Sequence, residues 1–229
     1  MKIIGHRGAR GIAPENTLEG FGKAMEYDID MIEMDVRQTK DHVLIIVHKR
    51  LQGFSRYPGM KISEHTYADL KALAPDIPTL AETIEFVDRR IRMMIEIKKD
   101  VPPEPVIKLI KTYLKKGWQP EDFMFNSNRY RILRKCYELL PEVDRLIQGN
   151  FSGLRAMYLA KKLHTSYILL DQRYLWWGFV RLSHRLGFKL FTYTFPWVKY
   201  EPYNHFKAER WEKHGLYAII TDYPDHFKK

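Results

Sequence analysis

In the stretch MIEMDV, Glu33 and Asp35 stand two residues apart, and in MMIEIKK so do Glu96 and Lys98. On a β-strand that spacing puts both members of a pair on one face. Strand faces inside an α/β domain are covered, and a covered carboxylate needs a partner charge or a metal. Ion pairs, such as Lys98 with Glu96 or with Asp35, meet that need for one carboxylate at a time. A divalent cation meets it for all three, and oxygen-only ligands favour Mg²⁺ or Ca²⁺ over zinc. His6 in GHRGARGIAPENT and His48 in VLIIVH contribute imidazoles, which give and take protons near neutral pH. A lone histidine is ordinarily structural, but these two are expected to converge on the carboxylates. Arg7, otherwise a surface arginine, offers a planar donor fork for a phosphate, and Lys98 offers a point charge. A divalent ion, two imidazoles and two cations on one face suit cleavage of a phosphodiester: the ion neutralises non-bridging oxygens while one histidine activates the attacking hydroxyl and the other protonates the leaving group.

The elements that must position these groups follow from the alternation of short β-like runs with helical spacing. Eight runs fall at 2–5, 31–36, 92–98, 122–126, 144–148, 166–170, 189–194 and 217–221. Strands alternating with helices imply parallel pairing through crossover helices. Eight such units suggest a single α/β domain, 1–229, closed as a (β/α)8 TIM barrel with its site at the C-terminal strand ends. An open doubly wound sheet shares the same pattern. One further run, 43–48, follows the second strand too closely for a crossover helix, so it must fold back as an antiparallel β-hairpin turning near Lys40 and Asp41, which sets Glu33 opposite His48. Leu18, Phe21, Gly22 and Met25 show helical spacing, with Asn16 in the N-cap position and Glu19 three residues on.

Composition sets outer bounds. Apolar residues make up 45% and charged residues 29%, ordinary for a folded globular chain. The net charge of +10 asks for anionic partners, such as phosphates or acidic lipid surfaces. The basic residues are dispersed through the helices without a recognised nucleic-acid motif, so no nucleic-acid partner is expected. The single cysteine, Cys136, excludes an internal disulfide and is expected to pack on a helix. The start of the chain lacks the form of a secretory signal, so the expected location is the cytoplasm, with room for peripheral contact at an acidic membrane. No obligate protein partner is evident. HTSY at 164–167 and SHRLG at 183–187 place histidines that read as structural. In YLWWGFV at 174–180, some aromatics are expected to pack on the barrel, with a membrane-interface patch at Trp176 and Trp177 as the other reading.

Taken in order, HRG and PENT (6–8 and 14–17), EMDV (33–36), IPTLAE (77–82), IEIK (95–98) and GLYAIITDYPD (215–225) resemble the signatures of the glycerophosphodiester phosphodiesterases, of the phospholipase-C-like barrel superfamily. The resemblance covers nearly the whole chain. It implies a TIM barrel with a divalent cation held by Glu33, Asp35 and Glu96. It also implies His6 and His48 as the acid and base pair, Arg7 and Lys98 at the phosphate, and Glu15 close to the metal or substrate. The implied reaction is attack of the glycerol 2-hydroxyl on phosphorus, followed by opening of the cyclic phosphate by water, which yields glycerol 3-phosphate and an alcohol. The chain departs from the family in three places. Lys49, not Asp, follows His48; YTFP (193–196) replaces a Trp-Thr-Val-Asn-like strand end, with Tyr193 still offering an aromatic wall; and LQGFSRYPG replaces an Arg-Thr-Thr-Gly-like stretch. Two other readings accompany the hydrolase: a lysophospholipase-D-like activity on membrane lysophospholipids, drawn from the charge and tryptophans, and a weakly catalytic barrel that binds phosphodiesters, drawn from Lys49.

Overall fold

The computed structural model describes residues 1–48, 60–149, 152–193 and 210–226. Lys49, the stretch 51–59 and Pro196, where the chain departs from the family pattern, lie outside them. Nine strands are described: β1 (Lys2–Gly5), β2 (Met31–Gln38), β3 (Leu44–Ile46), β4 (Arg92–Ile97), β5 (Phe123–Ser127), β6 (Asp144–Gly149), β7 (Tyr167–Leu170), β8 (Lys189–Tyr193) and β9 (Ala218–Thr221). Helices α1 (Leu18–Met25), α2 (Tyr67–Leu73), α3 (Leu80–Val87), α4 (Pro103–Lys115), α5 (Tyr130–Leu139), α6 (Gly153–Lys162) and α7 (Trp177–Arg185) stand between them. All strands but β3 pair in parallel, in the order β1-β9-β8-β7-β6-β5-β4-β2, and β1 pairs with β2 to close the ring. The expected eight-stranded barrel is therefore closed, and the open sheet is excluded.

Period-two alternation along each strand sorts the side chains into two layers. Ile4, Met31, Met94, Met124, Leu146, Leu169, Phe191 and Ile220 fill the barrel interior. Residues of opposite parity, including Ile32, Met34, Ile95, Phe125, Ile147 and Ile219, pack outward against the helices. Burial on both faces explains why these strands are almost uniformly apolar. Removing a ring from this outer layer leaves a cavity that the close-packed helices cannot fill. Phe125, fully buried, is expected to lose about 3–5 kcal/mol of stability as Phe125→Ala, measured by urea denaturation.

The hairpin exists, but its register differs by one residue from the expected one. Val36 faces Ile46 and Gln38 faces Leu44, while the Thr39 N–H bonds the Val43 carbonyl at 3.0 Å. Lys40, Asp41 and His42 therefore form a three-residue turn, and His42 takes a left-handed φ of 64°. An odd turn moves the pairing centre by half a residue, which slides His48 off Glu33 and puts the Val47 N–H on the Asp35 carbonyl at 2.8 Å. His48 still arrives at the end of β2. Elsewhere, Cys136 is buried on α5, and burial pushes its thiol up to about 12. Trp177 stacks on Trp211 at 4.1 Å while Trp176 stays exposed. His164 stacks on Tyr137 at 4.9 Å, as a structural residue does. Among the described residues no helix is long and apolar enough to cross a membrane.

Candidate active site

The inward rows of the strands end in polar residues at one mouth of the barrel. Beyond Ile4 comes His6, beyond Met31 come Glu33 and Asp35, beyond Met94 come Glu96 and Lys98, and beyond Ile220 comes Asp222. Tyr193 closes β8 on the same parity as Phe191. Glu33 and Asp35 are essentially inaccessible and Glu96 is buried. One carboxylate oxygen from each lies within 4.8 Å of the others. Burial pushes the Glu33 carboxyl well above the usual range, and the charges of Asp35 and Glu96 push it further. Burial also opposes ionisation of Asp35, yet the neighbouring Lys98 and Arg7 cations hold it below its ordinary value. The Lys98 ammonium contacts both Asp35 and Glu96, so both ion pairs expected from the sequence are present.

These residues fit a divalent cation. Glu33 Oε2 accepts the Arg7 backbone N–H at 3.0 Å, but its buried Oε1 has no hydrogen-bond partner among the described residues. An orphaned acceptor inside an acidic cluster is what a hard cation satisfies. The charge balance agrees. Carboxylates Glu15, Glu33, Asp35, Glu96 and Asp222 face cations Arg7, Arg10 and Lys98, which leaves a deficit that one divalent ion would fill.

The loop after β1 holds this cluster together. Arg7 adopts a left-handed φ of 51°, which turns its backbone N–H onto Glu33 and its side chain back over the carboxylates. Its Nε pairs with Asp35 at 3.0 Å and its Nη1 reaches both Glu15 oxygens at 3.0 Å. Arg7, expected as a phosphate ligand, is thus also a brace between carboxylates. Glu15 pairs with Arg7 and with Arg10, the latter 2.8 Å away. Gly8 permits the turn: its φ is 86°, and a Cβ there would stand 2.6 Å from the Gly20 carbonyl oxygen.

Asn16 is not the cap of α1. Thr17 holds that position and accepts the Gly20 N–H, while Asn16 is buried and left-handed at φ 57°. Its Nδ2 donates to Asp35 Oδ2 at 2.9 Å and its Oδ1 accepts the Asp35 backbone N–H at 3.2 Å. A carboxamide fits both partners at once, and a helix cap would waste that match. The structure thereby assigns Asn16 to the mouth as a clamp on Asp35.

The two histidines occupy different settings. His6 Nδ1 lies 2.5 Å from Asp222 Oδ1, its Nε2 lies 4.0 Å from Glu33 Oε2, and Tyr193 meets its ring edge-on at 5.3 Å between centroids. Burial opposes the Asp222 charge, but the bond to His6 and the charges of His6, Arg10 and Arg7 together hold the carboxyl below its usual range. His48 is half-buried beside a cavity of about 220 Å³ lined also by Glu15, Asn16 and Pro75. Burial, reinforced by Arg7, Lys98 and Arg37 against the opposing pull of Asp35, pushes its imidazole down to about 3. His48 is therefore neutral at neutral pH.

Sequence reasoning omitted Asp222, Asn16 and Arg10. Asp222 was legible: in AIITD it continues the inward row of Ala218 and Ile220 past the strand end, as Asp35 continues Glu33. Arg10 pairs with Glu15 and lies 3.6 Å from Asp222, a placement that loop sequence alone does not encode.

Comparison with known proteins agrees with this fold. Residues 6–226 match the glycerophosphoryl diester phosphodiesterase family. A glycerophosphodiester phosphodiesterase of Caldanaerobacter subterraneus is 29% identical over 97% of this chain and 94% of its own. A phosphodiesterase of Oleispira antarctica, solved with the product sn-glycerol-3-phosphate, superposes with a TM-score of 0.82 at 26% identity, covering 99% of this chain and 94% of that one. A Galdieria sulphuraria structure at 23% identity and a TM-score of 0.83, covering 98% and 94%, shares the fold. With its barrel, its signatures and its length all matched, the chain belongs to the glycerophosphoryl diester phosphodiesterase family, a family of phosphoric diester hydrolases.

Proposed function

We propose that the chain, acting as one barrel domain, hydrolyses glycerophosphodiesters to glycerol 3-phosphate and an alcohol, with His6 and His48 as the acid and base pair. The observation that carries this reading is the convergence of two unlike imidazoles on one buried carboxylate cluster, one neutral beside a cavity and the other bound to a carboxylate. His48 takes the proton of the glycerol 2-hydroxyl as that oxygen attacks phosphorus. His6, held by Asp222, gives its proton to the leaving alcohol oxygen as the phosphorus–oxygen bond breaks. In the second step water attacks the cyclic phosphate, His6 takes the water proton, and His48 returns its proton to the 2-hydroxyl. Glu33, Asp35 and Glu96 would hold Mg²⁺ or Ca²⁺, and such an ion supplies neutralisation of the phosphoryl oxygens as charge builds there. Lys98 and Arg7 add positive charge on the same side. The product held by the Oleispira enzyme supports this outcome.

The assay is release of glycerol 3-phosphate from glycerophosphocholine, glycerophosphoethanolamine and glycerophosphoglycerol with Mg²⁺ or Ca²⁺. Absence of turnover on all three with both metals rejects the reading. Within it, Asp222→Asn is expected to lower kcat by about 10–100-fold with little change in KM, because a neutral amide no longer fixes the imidazole tautomer; steady-state kinetics decide.

A second substrate class, lysophospholipids at an acidic membrane, is favoured by one observation. Trp176, Leu154 and Tyr158 are 63%, 66% and 57% exposed, and Trp176 and Leu154 sit where β7 and β6 hand over to α7 and α6, on the rim of the mouth. Co-sedimentation with phosphatidylserine vesicles tests it, and a chain that stays in the supernatant rules it out.

A further inference from the structure

Beside the mouth lies a groove that the hydrolysis described above leaves unused. It has a volume of about 840 Å³ and opens between the C-terminal ends of β5 and β6 and the helices that follow them. Lys99, Arg129, Arg131 and Arg155 line it, and among the described residues no carboxylate does. Among the described residues none of these four side chains pairs with an acid. Arg129 and Arg155 stand in the N-terminal turns of α5 and α6, neither of which carries an acidic residue in its first turn. The positive ends of two helix dipoles therefore add to the four charges, where cations are ordinarily unwelcome.

The groove connects to the site through named groups. Lys99 directly follows Lys98, which contacts Asp35 and Glu96. Gln148 lines the groove and donates from Nε2 to Asn126 Oδ1 at 3.1 Å. Asn126 is the register partner of Glu96, is fully buried, and has an Nδ2 without a hydrogen-bond partner among the described residues. A diester whose phosphorus sits over Glu33, Asp35 and Glu96 can run its leaving alcohol along Asn126 and Gln148 into the cationic groove.

We propose that this groove receives the leaving alcohol and selects glycerophosphodiesters whose alcohol carries a second anionic group, a phosphate. The assignment rests on the hydrolysis proposed above and adds its substrate class. A terminal phosphate meets four cations; a quaternary ammonium at the same place is repelled by them.

Three diesters sharing glycerol 3-phosphate, with ethylene glycol phosphate, ethylene glycol or choline as the leaving alcohol, test this. With Mg²⁺ or Ca²⁺, kcat/KM is expected to fall in that order, with about tenfold between the first two at low salt. The gap should close as ionic strength passes about 0.1 M, where the screening length shrinks to about 10 Å. The double variant Arg129→Gln, Arg155→Gln should bring the ratio of the first two close to one. A wild-type ratio near one, or one that the double variant leaves intact, overturns the groove assignment and leaves the hydrolysis standing. Titration with 2-hydroxyethyl phosphate gives a readout independent of turnover. Binding weakened about tenfold in the double variant supports the groove even if no diester is cleaved, and equal binding overturns it. If the double variant instead loses sedimentation with phosphatidylserine vesicles while keeping the substrate ratio, the cations serve a lipid surface and the assignment falls.

Discussion

His6→Ala and His48→Ala are each expected to lower kcat on glycerophosphodiesters by about 10²–10⁴, the range that positioned proton transfer contributes. The proposed roles separate the two losses. His6 is held by Asp222 and in that proposal gives its proton to the leaving oxygen, so its loss matters only when the leaving alcohol is a poor one. With p-nitrophenol as the leaving group, expulsion needs no proton. Release of nitrophenolate in the first turnover by His6→Ala should then recover to within about tenfold of the parent. His48→Ala should stay slow on the same substrate, because the 2-hydroxyl must still be deprotonated before it attacks. Single-turnover kinetics at neutral pH read both variants. Equal recovery in both, or near-parent kcat in either on an ordinary diester, contradicts the division of roles.

Much of this site was legible before any coordinate. Period-two spacing placed Glu33 with Asp35 and Glu96 with Lys98 on inward rows, and the strand ends of a closed barrel brought them to one mouth. The same rule reaches Asp222, whose signal is as strong as that of Asp35. What the sequence hid was loop geometry. Asn16 has the residue type, the position and the following glutamate of a helix cap, and only the left-handed turn at φ 57° shows its side chain committed to Asp35. The hairpin turn holds three residues, so pairing counted from an even turn lands one residue away. Arg7 has the donor fork of a phosphate ligand, but that fork is also held by two carboxylates, Glu15 and Asp35. Each of these depends on a backbone conformation that few residues adopt, and composition says little about where the chain adopts it.

Glu33→Gln should produce two opposite changes in one protein: activity lost by at least about 10³, and a metal-free fold that becomes more stable. The first follows from the proposed metal site: Glu33 would be a charged ligand at the centre of the cluster, and without it the cation that would neutralise the phosphoryl oxygens is held poorly. The second follows from the electrostatics of the cluster in the metal-free protein. Burial, then Asp35 and Glu96, raise the Glu33 carboxyl well above its ordinary 4.5. A carboxyl raised in the folded state favours folding while protonated and loses that advantage as pH climbs from its unfolded value through its folded one. At neutral pH this buried carboxyl therefore works against the metal-free fold, and a neutral amide of the same shape does not. The gain should be on the order of 1 kcal/mol, or roughly 2–4 °C in Tm for a chain of this size. It should shrink as pH falls toward 4, where the parent carboxyl is protonated in both states. Mg²⁺ or Ca²⁺ reverses the ranking. At a hundred times Kd, a ligand that binds only the folded protein stabilises it by about 2.7 kcal/mol, so the parent should gain Tm with added metal and the variant should not. Thermal melts in chelator and in metal, at pH 4 and pH 7, test every part of this. A parent whose Tm ignores both ions would remove the metal from Glu33, Asp35 and Glu96, while a variant less stable than the parent in chelator would show that Arg7 and Lys98 already satisfy the cluster.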